Sequence, residues 1–385
     1  MTANIIDIGM IMVLFASIGL IVRYRHTRTA ADTPLSLFSL VAVLFTSGLD
    51  GGLVMLPLIE FPLYQDATQF PEYQSISPLL LEFVFWGATV WLIYFVSTAY
   101  FCFVEPKLRL FEHLWVRIIT SLIVLVTCAF TLSLYLQNLP FYLSAVVPSS
   151  QIPVVVLLAF FIVLAGTLIA SLRVSFMTQL SRFSALLFVC AIGVFAIRGG
   201  LSLSLLMQTW DVFTTYIEAI PRFLLPTSDY HRFYIAWWFS WAILLGQFIS
   251  KFTHGLTSWQ LLMVMVIAPL IPTFAWFSVL YHAYTSLFHF DGLANWLLII
   301  LGTLFVVNSL DFMIASYSRA LNISSKRLGR LRYFVLNFCL LSSFTWLFFD
   351  KYLFIEWVAL VVILLMMITA AAMLIKHGMR QPIQT

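Results

Sequence analysis

Long apolar runs separated by short polar segments extend over nearly the whole chain, and most of the runs are close to 20 residues long. A helix of about 20 residues rises about 30 Å, which matches the hydrocarbon core of a bilayer. This pattern predicts eleven membrane-spanning helices. They lie near residues 4–22, 34–63, 78–104, 116–136, 152–172, 183–206, 232–250, 259–284, 293–318, 333–349 and 354–375.

The second predicted span is longer than one straight crossing needs, and the sequence SGLDGG of Ser47 to Gly52 interrupts it. Glycines at membrane depth permit an unwound segment whose carbonyl and amide groups face a cavity. Asp50 lies inside this break, and a carboxylate within a membrane is costly and usually functional. Asp50 is equally suited to cap the following helix as its N-cap residue. The sequence is compatible with both roles.

Composition supports an all-α integral membrane protein. Hydrophobic residues make up 62% of the 385 residues, charged residues only 9%, and the mean hydropathy is +1.01. A soluble domain of this size would not be so apolar. The sequence also contains no nucleophile–base constellation, phosphate-binding glycine loop or metal motif, so we expect neither an enzyme nor a bound cofactor.

The distribution of basic residues predicts the orientation of the chain. With the N-terminus outside, 16 of the 20 lysines and arginines lie in cytoplasmic segments, as the positive-inside rule requires. We therefore expect the inner, cytoplasmic membrane, an outer N-terminus and a cytoplasmic C-terminus. Because the net charge of +4 reflects this loop bias, we expect a lipid bilayer around the protein and no nucleic-acid partner.

Two groups of aromatic residues indicate what the helices enclose. In the stretch YIAWWFSWAILLGQF, Trp237 and Trp241 share a helical face, and Trp238 lies about 100° round the same helix. The second group occupies an arc of about 140° on the span near 78–104 and consists of Trp86, Trp91 and Tyr94. We refer to these six residues as the aromatic cluster.

Aromatic walls of this kind attract a quaternary ammonium group. Such a group has no N–H to donate, and ring faces hold it at about 0.5–2 kcal/mol per ring. In a chain with 12 Trp and 37 Phe, aromatic runs also arise from helix packing and from interfacial belts. The occurrence of two such groups favours a binding site over packing alone.

The spacings WxxxxWxxY, from Trp86 to Tyr94, and AWWxSW, from Ala236 to Trp241, resemble the substrate site of the betaine/choline/carnitine transporter family. The resemblance implies a LeuT-like core of two five-helix inverted repeats that moves a quaternary ammonium compound by alternating access. It divides the chain into a peripheral helix with its cytoplasmic link (1–33), a first repeat (34–207), an amphipathic connecting helix (208–231), a second repeat (232–376) and a short cytoplasmic tail (377–385).

The same resemblance implies a substrate preference and a coupling ion. Family members that take net-cationic choline resemble this chain in having an acid in the helix break, here Asp50. The motif LGTLFVVNSLD resembles a family motif, LGTxFxxTSxD, that helps to hold sodium, and oxygen ligands of this kind suit a hard cation. The corresponding positions in this chain are Thr46, Leu49, Phe305, Asn308 and Ser309.

Several departures from the family pattern support an alternative function. We expect the chain to lack the family's first helix and its long charged tail, and Ser133 and Tyr135 replace helix glycines. The alternative is a transport-inactive accessory or structural subunit of a membrane complex, whereas the family resemblance itself suggests a homotrimer. Glu82, one turn before Trp86, is expected at the outer interface.

Overall fold

The computed structural model describes residues 2–31, 33–49, 51–172, 174–286 and 292–378. Within these ranges the chain is helical, and the only β-type pairing is an isolated bridge between Arg28 and Thr257. The expected all-α class is confirmed.

Seventeen α-helices follow one another along the described chain, with short 3₁₀ turns and one π-helical turn between some of them. They are α1 Thr2–Tyr24, α2 Leu37–Gly48, α3 Gly52–Met55, α4 Pro57–Tyr64, α5 Pro78–Trp86, α6 Ala88–Ala99, α7 Glu105–Leu108, α8 Leu114–Leu143, α9 Ile152–Ala170, α10 Val174–Arg198, α11 Leu203–Ala219, α12 Asp229–Ser250, α13 Ser258–Thr285, α14 Gly292–Ala320, α15 Ser325–Leu328, α16 Arg330–Phe349 and α17 Ile355–Gly378.

Ten helical segments of the described chain are long and apolar enough to cross a membrane. The predicted count of eleven includes the interrupted span near 34–63, which the structure divides into α2, α3 and α4. The arrangement of two five-helix repeats stays a prediction.

The end of the sixth predicted span differs from the prediction. We expected it to extend to residue 206, but α10 ends at Arg198 and α11 already begins at Leu203. Gly200 has a φ of +66°, and the amide of Leu201 donates to the carbonyl of Ala196, which closes the helix end. The Ser202 hydroxyl then caps α11 by accepting a hydrogen bond from the Leu205 amide.

Helix α12, which carries three tryptophans of the aromatic cluster, lies in the centre of the fold. It packs against α6, α17, α8 and α2, while α14 forms a second buried axis against α8, α9 and α10. The α5–α7 segment, α8, α12 and α14 are largely buried, whereas α1, α9, α10, α13, α16 and α17 expose most of their surface. The exposed helices are apolar as well, as expected for helices that contact lipid.

The contact between α12 and α6 depends on a small residue. A Cβ atom at Gly246 would overlap the side chain and backbone of Ser97. Small residues at such crossings let two backbones approach closely, which is how helices associate in membranes.

We predict that Gly246→Ala lowers the stability of the purified protein by about 1–3 kcal/mol, because the added methyl group overpacks this crossing. Thermal unfolding in detergent measures the effect. Gly193→Ala is the matched control, since nothing lies within 4 Å of a Cβ atom there. Equal stability of the two variants would contradict the close α6–α12 approach.

Candidate functional site

The first element of the candidate site is the break between α2 and α4. Pro57 has no N–H, so the Leu53 carbonyl loses its usual helical donor and instead accepts a hydrogen bond from the Trp276 indole N–H at 3.0 Å. The Ile59 amide donates to the Leu56 carbonyl instead of the Met55 carbonyl. The Met55 carbonyl, which is left without that donor, accepts a hydrogen bond from the Tyr142 hydroxyl. Neighbouring aromatic side chains therefore satisfy the backbone that the break exposes.

The glycines of this break also permit close packing against neighbouring helices. A Cβ atom at Gly51 would collide with Val306 and with the carbonyl of Gly302, both on α14. A Cβ atom at Gly48 would lie 3.2 Å from the ring of Trp91. Asp50, between these glycines, lies outside the described residues.

A second helix break, which the sequence analysis did not predict, follows Trp86. Gly87 ends α5 with φ −93° and ψ −140°, and α6 begins at Ala88. The Ala88 amide donates to the Tyr216 hydroxyl of α11 at 2.5 Å, and a Cβ atom at Gly87 would overlap that hydroxyl. Helix α11 thus completes the hydrogen bonding of α6, which carries Trp91 and Tyr94 of the aromatic cluster.

Five residues of the aromatic cluster form a continuous chain of edge-to-face contacts. Ring centroids are 5.7 Å apart for Trp91 and Tyr94, 6.3 Å for Tyr94 and Trp238, 4.9 Å for Trp238 and Trp86, and 5.7 Å for Trp86 and Trp237. The planes of these pairs meet at 67° to 87°. Edge-to-face packing of this kind suits the charge distribution of aromatic rings, and the same ring faces attract a cation once they are uncovered.

Trp241 stands apart from this chain of contacts. Within the described part of the structure it makes no ring-to-ring contact with the other five residues, although its side chain is only 2% exposed. It follows Trp237 by one helical turn on α12.

Four buried indole N–H groups of the cluster make no well-formed hydrogen bond among the described residues, those of Trp86, Trp91, Trp237 and Trp241, although the Trp86 indole lies within interacting range of Glu82. The fifth, on Trp238, donates to the Phe85 carbonyl at 3.1 Å and so satisfies a backbone group next to the Gly87 break. Buried donors without partners are costly. They are available to an oxygen atom of a ligand.

The residues expected to hold sodium are placed on two helices that touch each other. Thr46 and Leu49 lie at the end of α2, and Phe305 on α14 contacts Phe45 of α2 with ring centroids 6.2 Å apart. The last carbonyls of α2 lack intrahelical donors, as at every helix end.

The side chains at these positions differ in their hydrogen bonding. The Thr46 hydroxyl donates to the Ala42 carbonyl. The Asn308 amide donates to the Ser184 hydroxyl at 2.7 Å, and its oxygen accepts from Ser181 at 3.4 Å. The buried Ser309 hydroxyl has no partner among the described residues.

Glu82 is fully buried within the protein, one turn after the start of α5 at Pro78, and its position at the outer membrane interface stays a prediction. It lies beside Glu60 of α4, whose carboxylate accepts hydrogen bonds from the hydroxyls of Tyr230 and Tyr234. The Tyr234 ring also contacts Trp86 and Trp237 at 5.7 Å each. Sequence analysis missed this group because its members are distributed over three helices.

Comparison with known proteins finds partial similarity to transporters. No family model matches the chain. Uncharacterized transporters of Mycobacterium tuberculosis and Mycobacterium bovis are each 28% identical to it over 98 residues, which is 23% of this chain and 16% of theirs. The glycine betaine transporter OpuD of Bacillus subtilis is 43% identical over 47 residues, 12% of this chain and 9% of OpuD.

The chain therefore matches less than a fifth of the length of these relatives. Transporter relatives and ten apolar helices together indicate a multi-pass membrane protein with distant similarity to transporters.

We predict that Tyr216→Phe destabilises the protein by about 1–3 kcal/mol, because the Ala88 amide then lacks its acceptor. Thermal unfolding should show the loss, and the intrinsic fluorescence should change through the adjacent Trp86. Tyr352→Phe, which alters an exposed tyrosine, is the control. If Tyr216→Phe behaved like this control, the hydroxyl would not support the Gly87 break.

Proposed function

We propose that the protein is a secondary transporter of quaternary ammonium compounds, similar to the betaine/choline/carnitine family, and works by alternating access. The observation that carries the proposal is the chain of edge-to-face contacts among Trp86, Trp91, Tyr94, Trp237 and Trp238. The partial match to a glycine betaine transporter supports the same substrate class. We place the trimethylammonium group among these rings and Trp241.

The unpartnered indole N–H groups extend this proposal to the rest of the substrate. Choline carries a hydroxyl and glycine betaine a carboxylate, and both can accept a hydrogen bond from an indole donor. The rings themselves are in contact in this structure, so they must separate before a trimethylammonium group can lie between them. The proposal therefore assigns this structure to a closed state of the transport cycle.

The coupling ion belongs to the same proposal. We place sodium between the end of α2 and α14, with carbonyls of Thr46 and Leu49, the Phe305 backbone, and the side chains of Asn308 and Ser309 as ligands. The unpartnered Ser309 hydroxyl supports this placement. Asn308, which already bonds to two serines, supports the alternative of an accessory subunit that no longer transports.

We predict that Trp241→Ala abolishes saturable choline uptake into proteoliposomes at low substrate concentration and leaves expression intact. Each ring contributes about 0.5–2 kcal/mol to holding the cation, and Trp241 is not required for the ring contacts of the other five. Trp357→Ala, at a half-exposed tryptophan on α17, controls for the loss of an indole. Undiminished uptake by Trp241→Ala would remove this residue from the site.

Asp50→Asn should shift the preference from choline towards glycine betaine. A carboxylate near the site attracts net-cationic choline, whereas zwitterionic glycine betaine carries its own carboxylate and is repelled. Competition between the two compounds for binding to the purified variant measures the shift. An unchanged ratio of the two affinities would remove Asp50 from substrate selection.

A further inference from the structure

Two carboxyl groups are buried together next to the aromatic cluster. Glu60 on α4 is 1% exposed and Glu82 on α5 is 0% exposed. Tyr64, one turn after Glu60, and Phe85, one turn after Glu82, have ring centroids 5.8 Å apart, so both carboxyl groups lie in the same buried region between α4 and α5, where their charges interact. None of the lysine or arginine side chains that the structure describes is buried, and neither of the ion pairs among the described residues, Arg109–Glu112 and Arg232–Asp229, includes Glu60 or Glu82.

The hydrogen bonding of the two groups is unequal. The hydroxyls of Tyr230 and Tyr234 both donate hydrogen bonds to the Glu60 carboxylate. The Tyr234 hydroxyl lies 2.6 Å from one carboxylate oxygen and 2.8 Å from the other. Neither oxygen of Glu82 makes a well-formed hydrogen bond within the described chain. The buried Tyr64 hydroxyl also lacks a well-formed bond, yet it lies within interacting range of both carboxyl groups. Glu60 therefore has two well-placed hydroxyl donors, whereas Tyr64 and Trp86 lie near Glu82 without forming well-formed hydrogen bonds to it.

Elementary electrostatics determines how such a pair is charged. Two neighbouring carboxylates, removed from water and without a buried lysine or arginine, do not both ionise. A proton on Glu82 removes the repulsion and turns Glu82 into a donor towards Glu60. We propose that Glu60 and Glu82 share one proton and form a proton-binding site that is linked to the aromatic cluster.

Tyr234 provides the link. Its hydroxyl donates to Glu60, and its ring contacts Trp86 at 5.7 Å and Trp238 at 5.9 Å. A cation among these rings would favour the fully ionised pair and release its shared proton to solvent. By reciprocity, protonation of the pair would weaken cation binding by the same factor. This coupling rests on the proposed function, whereas the shared proton itself does not.

The remaining titratable groups around the pair are almost all tyrosines. Burial raises the pKa of Tyr73, in the loop before α5, to about 12, so it stays neutral. The titratable groups that face the pair are Tyr64 of α4, Tyr73 of the loop, Tyr142 of α8, and Tyr230 and Tyr234 of α12. Other titratable side chains contact phenylalanines next to the pair: His231 of α12 contacts Phe85, Tyr216 of α11 contacts Phe83, and Tyr281 and Tyr284 of α13 contact Phe61.

Infrared difference spectroscopy across a pH titration tests the shared proton without any substrate. The wild-type protein should show the C=O stretch of a protonated carboxylic acid that disappears at high pH, and Glu82→Gln should lack this band. Asp311→Asn is the matched control, because Asp311 is a second buried acid, 2% exposed, on α14. The band of the pair is the one that Asp311→Asn retains and Glu82→Gln loses, and the absence of any such difference between the two variants would overturn the proposal.

Choline binding at several pH values tests the coupling. In the wild type, affinity should rise by up to about tenfold per pH unit while the pair titrates, with a proton released into weak buffer. In Glu82→Gln, whose amide imitates the protonated acid, affinity should not depend on pH, whereas Asp311→Asn should retain the dependence. If Glu82→Gln does not fold, Glu60→Gln provides the same test.

The outcomes separate the two proposals. If no variant binds choline but the infrared band behaves as expected, the proposed function fails and the proton site stands. Retention of the pH dependence in Glu82→Gln would overturn the coupling. Displacement of the proton by sodium alone would identify the pair as a metal-ion site and would overturn its assignment to protons.

Discussion

Backbone groups freed by a broken helix must find partners within the protein, because lipid offers none. This chain breaks two buried helices beside one aromatic cluster, and aromatic side chains supply the missing partners. Trp276 and Tyr142 donate to carbonyls of the first break, while Trp238 and Tyr216 complete the second. Aromatic side chains thus support the irregular backbone at both breaks and also form the adjacent aromatic cluster. This constraint explains why the site and the interior of the fold are so rich in aromatic residues.

The apolar runs and the glycines of SGLDGG were sufficient to predict the helical class, most of the spans and the position of the first break, because period and glycine content are local properties of a sequence. The Gly87 break was missed, since a single glycine in a helical pattern is usually tolerated. The contacts among Trp86, Trp237 and Trp238 depend on how α5 and α12 cross, which periodicity does not encode. The pairing of Glu82 with Glu60 was missed because the two residues lie on different helices.

The buried carboxyl pair changes how the aromatic cluster should be understood. Rings alone attract any suitable cation, whereas the proposed shared proton, linked to the rings through Tyr234, would make that attraction depend on pH. Tyr234 belongs to both groups, through its ring and its hydroxyl. Helix α11 contacts the same region through Tyr216, so the proposed substrate site, the proposed proton site and α11 all meet around α5. Movements of α5 during transport would therefore act on all three.

The most direct test of the account is equilibrium binding of choline and of its uncharged isostere 3,3-dimethyl-1-butanol to the purified protein, followed by tryptophan fluorescence. The two compounds have the same shape and differ in the positive charge. The account predicts saturable quenching by choline and at least about tenfold weaker binding of the isostere, since cation–π attraction requires the charge. Equal binding of the two compounds, or no binding of choline, would contradict the assignment of the aromatic cluster as a quaternary ammonium site.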